Sequence, residues 1–203
     1  MEGIKNIIFD LGGVLVDLDR EACIAEFRKL GYPQADDMLN TYRQKGIFKE
    51  LEMGTVTPKE LYNYISVDAG HYIEPEKINQ ALYAFLIGLP VYKLEMLLEL
   101  KKSYNIFMLS NTNAIMMPYM EKTLFSQQGL KITDYFHRLF LSYEMGMLKP
   151  DREIFEAVLA QADIKAEESL FIDDSAINVE SALSMGFRTY LPAPREDFRH
   201  IFK

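Results

Sequence analysis

The sequence predicts an α/β protein, a doubly wound parallel sheet with an inserted helical unit, on three observations. Short runs at residues 6–10, 106–109, 139–142 and 170–173, with a weaker one at 188–191, are apolar on consecutive positions. That is the pattern of parallel strands covered on both faces. Stripes of helical period separate the later runs, and strands alternating with helices argue a doubly wound layer. The interval between the first run and the second offers no convincing strand and reads as helical.

The first strand ends on one acid, Asp10, with Gly12 and Gly13 close behind. A lone carboxylate at the end of a buried strand is costly unless a positive group meets it there. In the interval that follows, Cys23, Phe27 and Leu30 repeat at helical spacing, as do Ile78, Leu82 and Phe85. "TPKE", from Thr57 to Glu60, is a capping box with proline at the first helical position. The expected division is a core of residues 1–16 and 91–203 with a helical cap of residues 17–90. An insert at that point leaves the carboxyl end of strand one, where α/β sheets place their ligands, so a lid is the economical reading. Val91, Leu94, Leu97 and Leu98 form the stripe before the second strand. Ile154, Phe155, Val158 and Leu159 form the stripe before the fourth. Val179, Ala182 and Leu183 form the next, stopped by Gly186 in a C-cap position.

Bulk properties narrow the function classes. With 203 residues, 49% of them apolar, one large domain with an insert can bury a real core. A net charge of -8 argues against nucleic acid or an anionic membrane as the main partner, while leaving room for a locally positive anion site. Cys23 is the only cysteine, which excludes an intramolecular disulfide and suits a reducing, cytoplasmic setting. The first apolar run is broken by Asp10 and lacks the form of an export signal. The longest apolar stretch, residues 83–92, is too short to span a bilayer.

Chemistry gathers at the strand ends. After strand one comes Asp10, and after strand two Ser110, Asn111, Thr112 and Asn113. Beyond strand three "SYEMGMLKP" carries Lys149, and strand four ends in Asp173 and Asp174. Each group alone has a plain structural reading, as turn chemistry, a solvated lysine or a helix cap. In a parallel sheet, however, these ends converge on one edge. Three carboxylates there repel unless a cation neutralises them. Hard oxygen ligands few in number suit Mg²⁺, which shares oxygens with a substrate phosphate. The outline is that of a phosphoryl-transfer site.

In order, "FDLGGVLVD", "LSNTN", "KP" and "FIDDSAINVESA" resemble the haloacid dehalogenase-like hydrolase superfamily across the whole chain. The resemblance is strongest to the subfamily with a helical cap, which contains sugar-phosphate phosphatases and the phosphatase domain of soluble epoxide hydrolases. It implies a Rossmann-like core and hydrolysis of a small phosphorylated metabolite with Mg²⁺. It places the nucleophile on Asp10, which forms an aspartyl-phosphate, and the phosphate-binding hydroxyl on Ser110 with Asn111 beside it. Lys149 matches the lysine that steadies nucleophile and phosphate. Asp174 matches the metal-holding acid, with Asp173 as ligand or support and Asn178 behind the pair. The Gly12 carbonyl matches the backbone metal ligand.

One departure stands out. Phosphatases of this superfamily carry a second aspartate two residues after the nucleophile as general acid and base, and here that position is Gly12. Such help is worth about two to four orders of magnitude in rate. A cap residue or a water replaces it, or the leaving group needs little protonation, or the protein binds a phosphometabolite with slow turnover or none. Haloacid dehalogenation is a further alternative, but it does without the paired acids at strand four. A receiver-type signalling domain has the reverse order of acids and acceptor. His71, His137 and His200 lack metal-ligand spacing, and the eleven methionines read as packing, with residues 145–147 as candidates to line the site. Specificity is expected from residues 42–53 of the cap, and the tail from Pro192 reads as a surface segment.

Overall fold

A computed structural model of the chain describes residues 1–40 and 44–202. From the N-terminus run β1 (Asn6–Phe9), β2 (Asp17–Leu18) and the helices α1 (Arg20–Lys29), α2 (Ala35–Met38), α3 (Gly46–Glu52), α4 (Pro58–Asp68) and α5 (Pro75–Tyr83). Then come β3 (Leu86–Gly88), α6 (Val91–Leu100), β4 (Asn105–Ser110), α7 (Met116–Thr123), α8 (Ile132–Tyr135), β5 (Arg138–Leu141) and α9 (Ser142–Met145). The chain closes with α10 (Arg152–Ala162), β6 (Ser169–Ile172), α11 (Ala176–Ser184) and β7 (Arg188–Tyr190).

Five parallel strands form one sheet in the order β5-β4-β1-β6-β7. The chain moves outward from β1 to β4 and β5, then returns to β6 and β7 on the other side. β1 is thus where the winding reverses, the position at which such sheets hold ligands. Alternate residues feed two cores. Ile7, Phe9, Met108 and Ile172 pack on one face, while Ile8, Phe107, Leu109 and Phe171 pack on the other. A fully buried phenylalanine such as Phe9 or Phe171 contributes about 2 kcal/mol by removal from water. Every position of β1 and β6 is buried, which is why these strands read as continuous apolar runs.

The helices of residues 20–83 have a separate core of Cys23, Phe27, Phe48, Leu61, Ile65, Ile78 and their neighbours. Helix α4 opens on the expected capping box: Thr57 Oγ1 accepts from the Glu60 N–H, and the Glu60 carboxylate accepts from the Thr57 N–H at 2.7 Å. Gly186, at φ +92°, follows the end of α11 as the sequence suggests.

The structure corrects four readings. The interval from 17 to 90 does contain strands: β2 and β3 form an antiparallel pair at the two points where the chain leaves and rejoins the core. Two and three residues are too few to show a period in sequence. In α11 the residues turned inward are Asn178 and Ala182, with Leu183 left 59% exposed, because Asn178 is drawn in by Asp173. The tail is more than a surface segment: most of residues 193–200 are exposed, but Phe198 is buried and Phe9 meets both Phe198 and Phe202 rings. Met145 and Met147 pack against the second core face and not along the site. Among the described residues no helix is long and apolar enough to cross a membrane.

Candidate active site

Strand register brings the acids together. Phe9 pairs with Ile172, so Asp10 and Asp173, the next residues of β1 and β6, leave the sheet side by side. The Asp10 N–H still donates to the Ile172 carbonyl at 2.8 Å. Ligand oxygens of Asp10, Asp173 and Asp174 all lie within 4.8 Å of one another, close enough to share one cation. Mutual repulsion at that spacing is what a divalent ion relieves.

Lys149 meets this cluster from the loop after α9. Its Nζ lies 2.8 Å from Asp10 Oδ1 and donates to Asp173 Oδ2 at 2.6 Å and to the Leu109 carbonyl at 2.9 Å. The opening problem of a buried acid is therefore answered by a buried ammonium. Burial alone lowers the lysine, but Asp10 and Asp173 together outweigh it and hold Lys149 above the usual lysine range. Asp10 is pushed up to about 7, by burial first and then by Asp173 and Asp174, with Lys149 pulling the other way. Asp174 rises to about 6 for the same first reason, with Asp173 adding to it.

Each remaining sequence candidate has a defined place. Asp173 is fully buried, and its carboxylate accepts from the Ser175 N–H at 2.8 Å and from Asn178 Nδ2 at 3.0 and 3.1 Å besides Lys149. Its oxygens are thus committed to neighbours, whereas Asp174 lines the open cavity. Ser110, at the end of β4, is buried and lines the same cavity. Asn111 lines it too, but its side chain is engaged with the Lys149 backbone: Nδ2 donates to the carbonyl at 3.0 Å and Oδ1 accepts from the N–H at 2.9 Å. It fixes the lysine's stem. Gly12 lines the cavity, and Gly13, at φ +76°, has Asp174 where a Cβ would stand, 1.9 Å from Oδ2. Only glycine allows the acid that close. His71 and His137 are hydrogen-bonded to backbone, and His200 is exposed beside Glu196.

The helical insert closes the cavity from the other side with Leu39, Gln44, Phe48, Glu52, Leu82 and Phe85. Of the stretch expected to confer specificity, Gln44, Phe48 and Glu52 reach the cavity, and Tyr42 lies outside the described residues. From the core, Met116 and Met120 line it, so two methionines assigned to packing face the site. Sequence reasoning missed Glu52. It is 9% exposed, and burial followed by the nearby Asp10 charge pushes its carboxyl up to about 8, with Lys149 opposing. It also missed Lys93, a buried lysine of α6 whose Nζ donates to the Val14 carbonyl at 2.7 Å and to Asp17 at 3.4 Å. That bond pins the strand-one loop at the point where the insert departs.

A family model for haloacid dehalogenase-like hydrolases matches residues 4–186, a span that holds every residue lining the cavity. The chain belongs to that family. This hydrolase is 38% identical over 196 residues to a D-ribitol-5-phosphate phosphatase of Bacteroides thetaiotaomicron, covering 97% of this chain and 95% of the relative. It is 27% identical to a sesquiterpene phosphatase of Aspergillus oryzae, over 90% of this chain and 86% of the relative. A crystal structure of a Bacteroides thetaiotaomicron family enzyme, in complex with magnesium and inorganic phosphate, superposes with a TM-score of 0.93 at 42% identity. That match covers 98% of this chain and 100% of the other. The fold and the family of this hydrolase are those its strand-end motifs implied.

Proposed function

We propose that this hydrolase cleaves a small phosphate monoester, with Mg²⁺, through an aspartyl-phosphate on Asp10. The observation that carries the reading is the acid cluster: three carboxylates within 4.8 Å of one another, joined to one buried ammonium. Its donor set fits Mg²⁺, with hard oxygens from Asp10, Asp174 and the Gly12 carbonyl and with Asp173 braced beside them. A bound Mg²⁺ would neutralise charge on the transferring phosphoryl group and orient it. Asp10 Oδ then attacks phosphorus, the bond to the leaving oxygen breaks, and water later releases phosphate from Asp10. In this reading Ser110 Oγ donates to a phosphoryl oxygen, and Lys149 balances its charge while holding the Asp10 carboxylate in line. The helical insert works as the cap that excludes water and chooses the substrate.

A sugar or polyol phosphate is the substrate class we favour, supported by the ribitol-phosphate phosphatase at 38% identity. Gln44, Thr112 and Asn113 supply polar groups beside the apolar walls of the cavity. Phosphate release from a panel of polyol, sugar and isoprenoid monophosphates, with Mg²⁺ and with EDTA, tests this. Turnover that needs both Mg²⁺ and Asp10, highest with polyol phosphates, is expected. Silence across the panel while phosphate still binds would show a site that recognises phosphate and does not cleave it.

A further inference from the structure

The phosphatase reading leaves one chemical requirement unassigned. An alkoxide leaving group needs a proton as its bond to phosphorus breaks, and the water that frees Asp10 must lose one. No side chain stands at Gly12 to do this. The place is filled in another way: a Cβ on Gly12 would lie 3.0 Å from Leu18 Cδ1, so β2 covers that spot with leucine. The proton carrier must come from elsewhere along the cavity wall.

Among the described residues that line the cavity, the titratable ones are Asp10, Glu52, Lys149 and Asp174. In the proposed mechanism Asp10 is the nucleophile and Asp174 holds the metal. Lys149 is tied to two carboxylates. Glu52 remains. It is buried, and among the described residues its carboxyl has no hydrogen-bond or ion-pair partner, although it shares the cavity with Asp10, Gly12 and Ser110. Its oxygens are not sealed off, since among the described residues the Tyr32 hydroxyl is the one enclosed side-chain oxygen without a partner; the carboxyl opens on the cavity. Its location is also fixed. Gly54, two residues on and at φ +68°, lies against the Tyr143 carbonyl, where a Cβ would come within 2.1 Å of the oxygen. The end of α3 is thus seated on the core, with Glu52 facing the site.

We infer that Glu52 is the general acid and base of this hydrolase, supplied by the helical insert in place of a side chain at Gly12. The inference rests on the phosphatase reading. In the first step Asp10 Oδ bonds to phosphorus, the bond to the substrate oxygen breaks, and that oxygen takes the proton of the Glu52 carboxyl to leave as the alcohol. In the second step the Glu52 carboxylate takes a proton from water as the water oxygen bonds to phosphorus and the Asp10–phosphorus bond breaks. Phosphate leaves, and Glu52 is a carboxylic acid again. Burial favours that neutral form before the first bond breaks. The assignment couples chemistry to closure, since proton transfer is possible only with α3 seated.

The test is Glu52→Gln, which keeps shape and removes the proton, assayed on a polyol phosphate and on p-nitrophenyl phosphate. Polyol phosphate turnover should fall about 10²–10⁴-fold. With p-nitrophenyl phosphate, whose leaving group needs no proton, the variant should give a burst of one nitrophenolate per enzyme and then slow release. The burst itself shows that the site is folded. Equal losses on both substrates without a burst, in a variant that melts like the wild type, would overturn the inference, as would wild-type rates on both. If the Gln variant does not fold, Glu52→Asp is read instead: a first turnover slowed more for the polyol phosphate than for p-nitrophenyl phosphate supports the inference, and equal slowing of the first turnover overturns it. Silence of the wild type on both substrates would overturn the phosphatase reading itself, and the inference with it.

Discussion

Replacing Lys149 by methionine removes the one ammonium among three carboxylates while roughly keeping the volume. Its Nζ is 2.8 Å from Asp10, 2.6 Å from Asp173 and 2.9 Å from the Leu109 carbonyl, with the side chain 1% exposed. Breaking a buried pair on one side costs about 3–5 kcal/mol, because the other charge stays buried and uncompensated. For a chain of this size that is a fall of about 6–20 °C in Tm. In EDTA the deficit should depend on pH with a defined sign. Asp10 stands at about 7 and Asp174 at about 6 with the lysine present, and losing it raises both further. A folded-state carboxyl raised above its unfolded value near 4 is favourable at low pH and loses that contribution as pH rises through the folded value. The Tm deficit of Lys149→Met should therefore be larger at pH 8 than at pH 5, by calorimetry in EDTA. Mg²⁺ should restore more of the Tm in the variant than it adds to the wild type, because it binds a more negative site. A deficit below about 1 kcal/mol, or one independent of both pH and Mg²⁺, would refute the electrostatic account.

Two further outcomes follow from particular contacts. Asp174→Ala should raise the Mg²⁺ concentration needed for half-maximal activity at least tenfold, and an unchanged Mg²⁺ titration would remove Asp174 from the metal site. Gly54→Ala places a methyl where the Tyr143 carbonyl stands and forces alanine into a positive φ, which together should lift the end of α3. Its first turnover on polyol phosphates should slow at least tenfold with a much smaller change in the p-nitrophenolate burst, while later turnovers, which share the water step, slow alike on both. Equal losses in the first turnover would show that Gly54 supports the fold and does not position Glu52.

What the sequence made legible follows from how strands and loops encode themselves. β1 and β6 are buried throughout, β4 at all but its first residue and β5 at its last two, so they stand out as consecutive apolar residues, and the acids, serine and lysine at their ends follow directly. Parallel order then brings Asp10, Ser110, Lys149, Asp173 and Asp174 to one edge without further information. Residues whose role depends on how the insert docks were not legible. Glu52 belongs to a short helix in which an acid near the end looks like solvent-facing charge, and only the closed structure shows it buried. Lys93 is hidden in the same way, since its partners Val14 and Asp17 are 79 and 76 residues away in the chain. The largely exposed tail also has Phe198 and Phe202 seated on Phe9, a contact no local period announces.

The central claim is that Asp10 carries the phosphoryl group, and rapid quenching of a reaction with radiolabelled substrate tests it most directly. The account predicts a protein-bound label that forms only with Mg²⁺, is released by hydroxylamine as an acyl phosphate should be, and is absent from Asp10→Asn together with turnover. Turnover without any such label, or Asp10→Asn hydrolysing substrate at the wild-type rate, would contradict it.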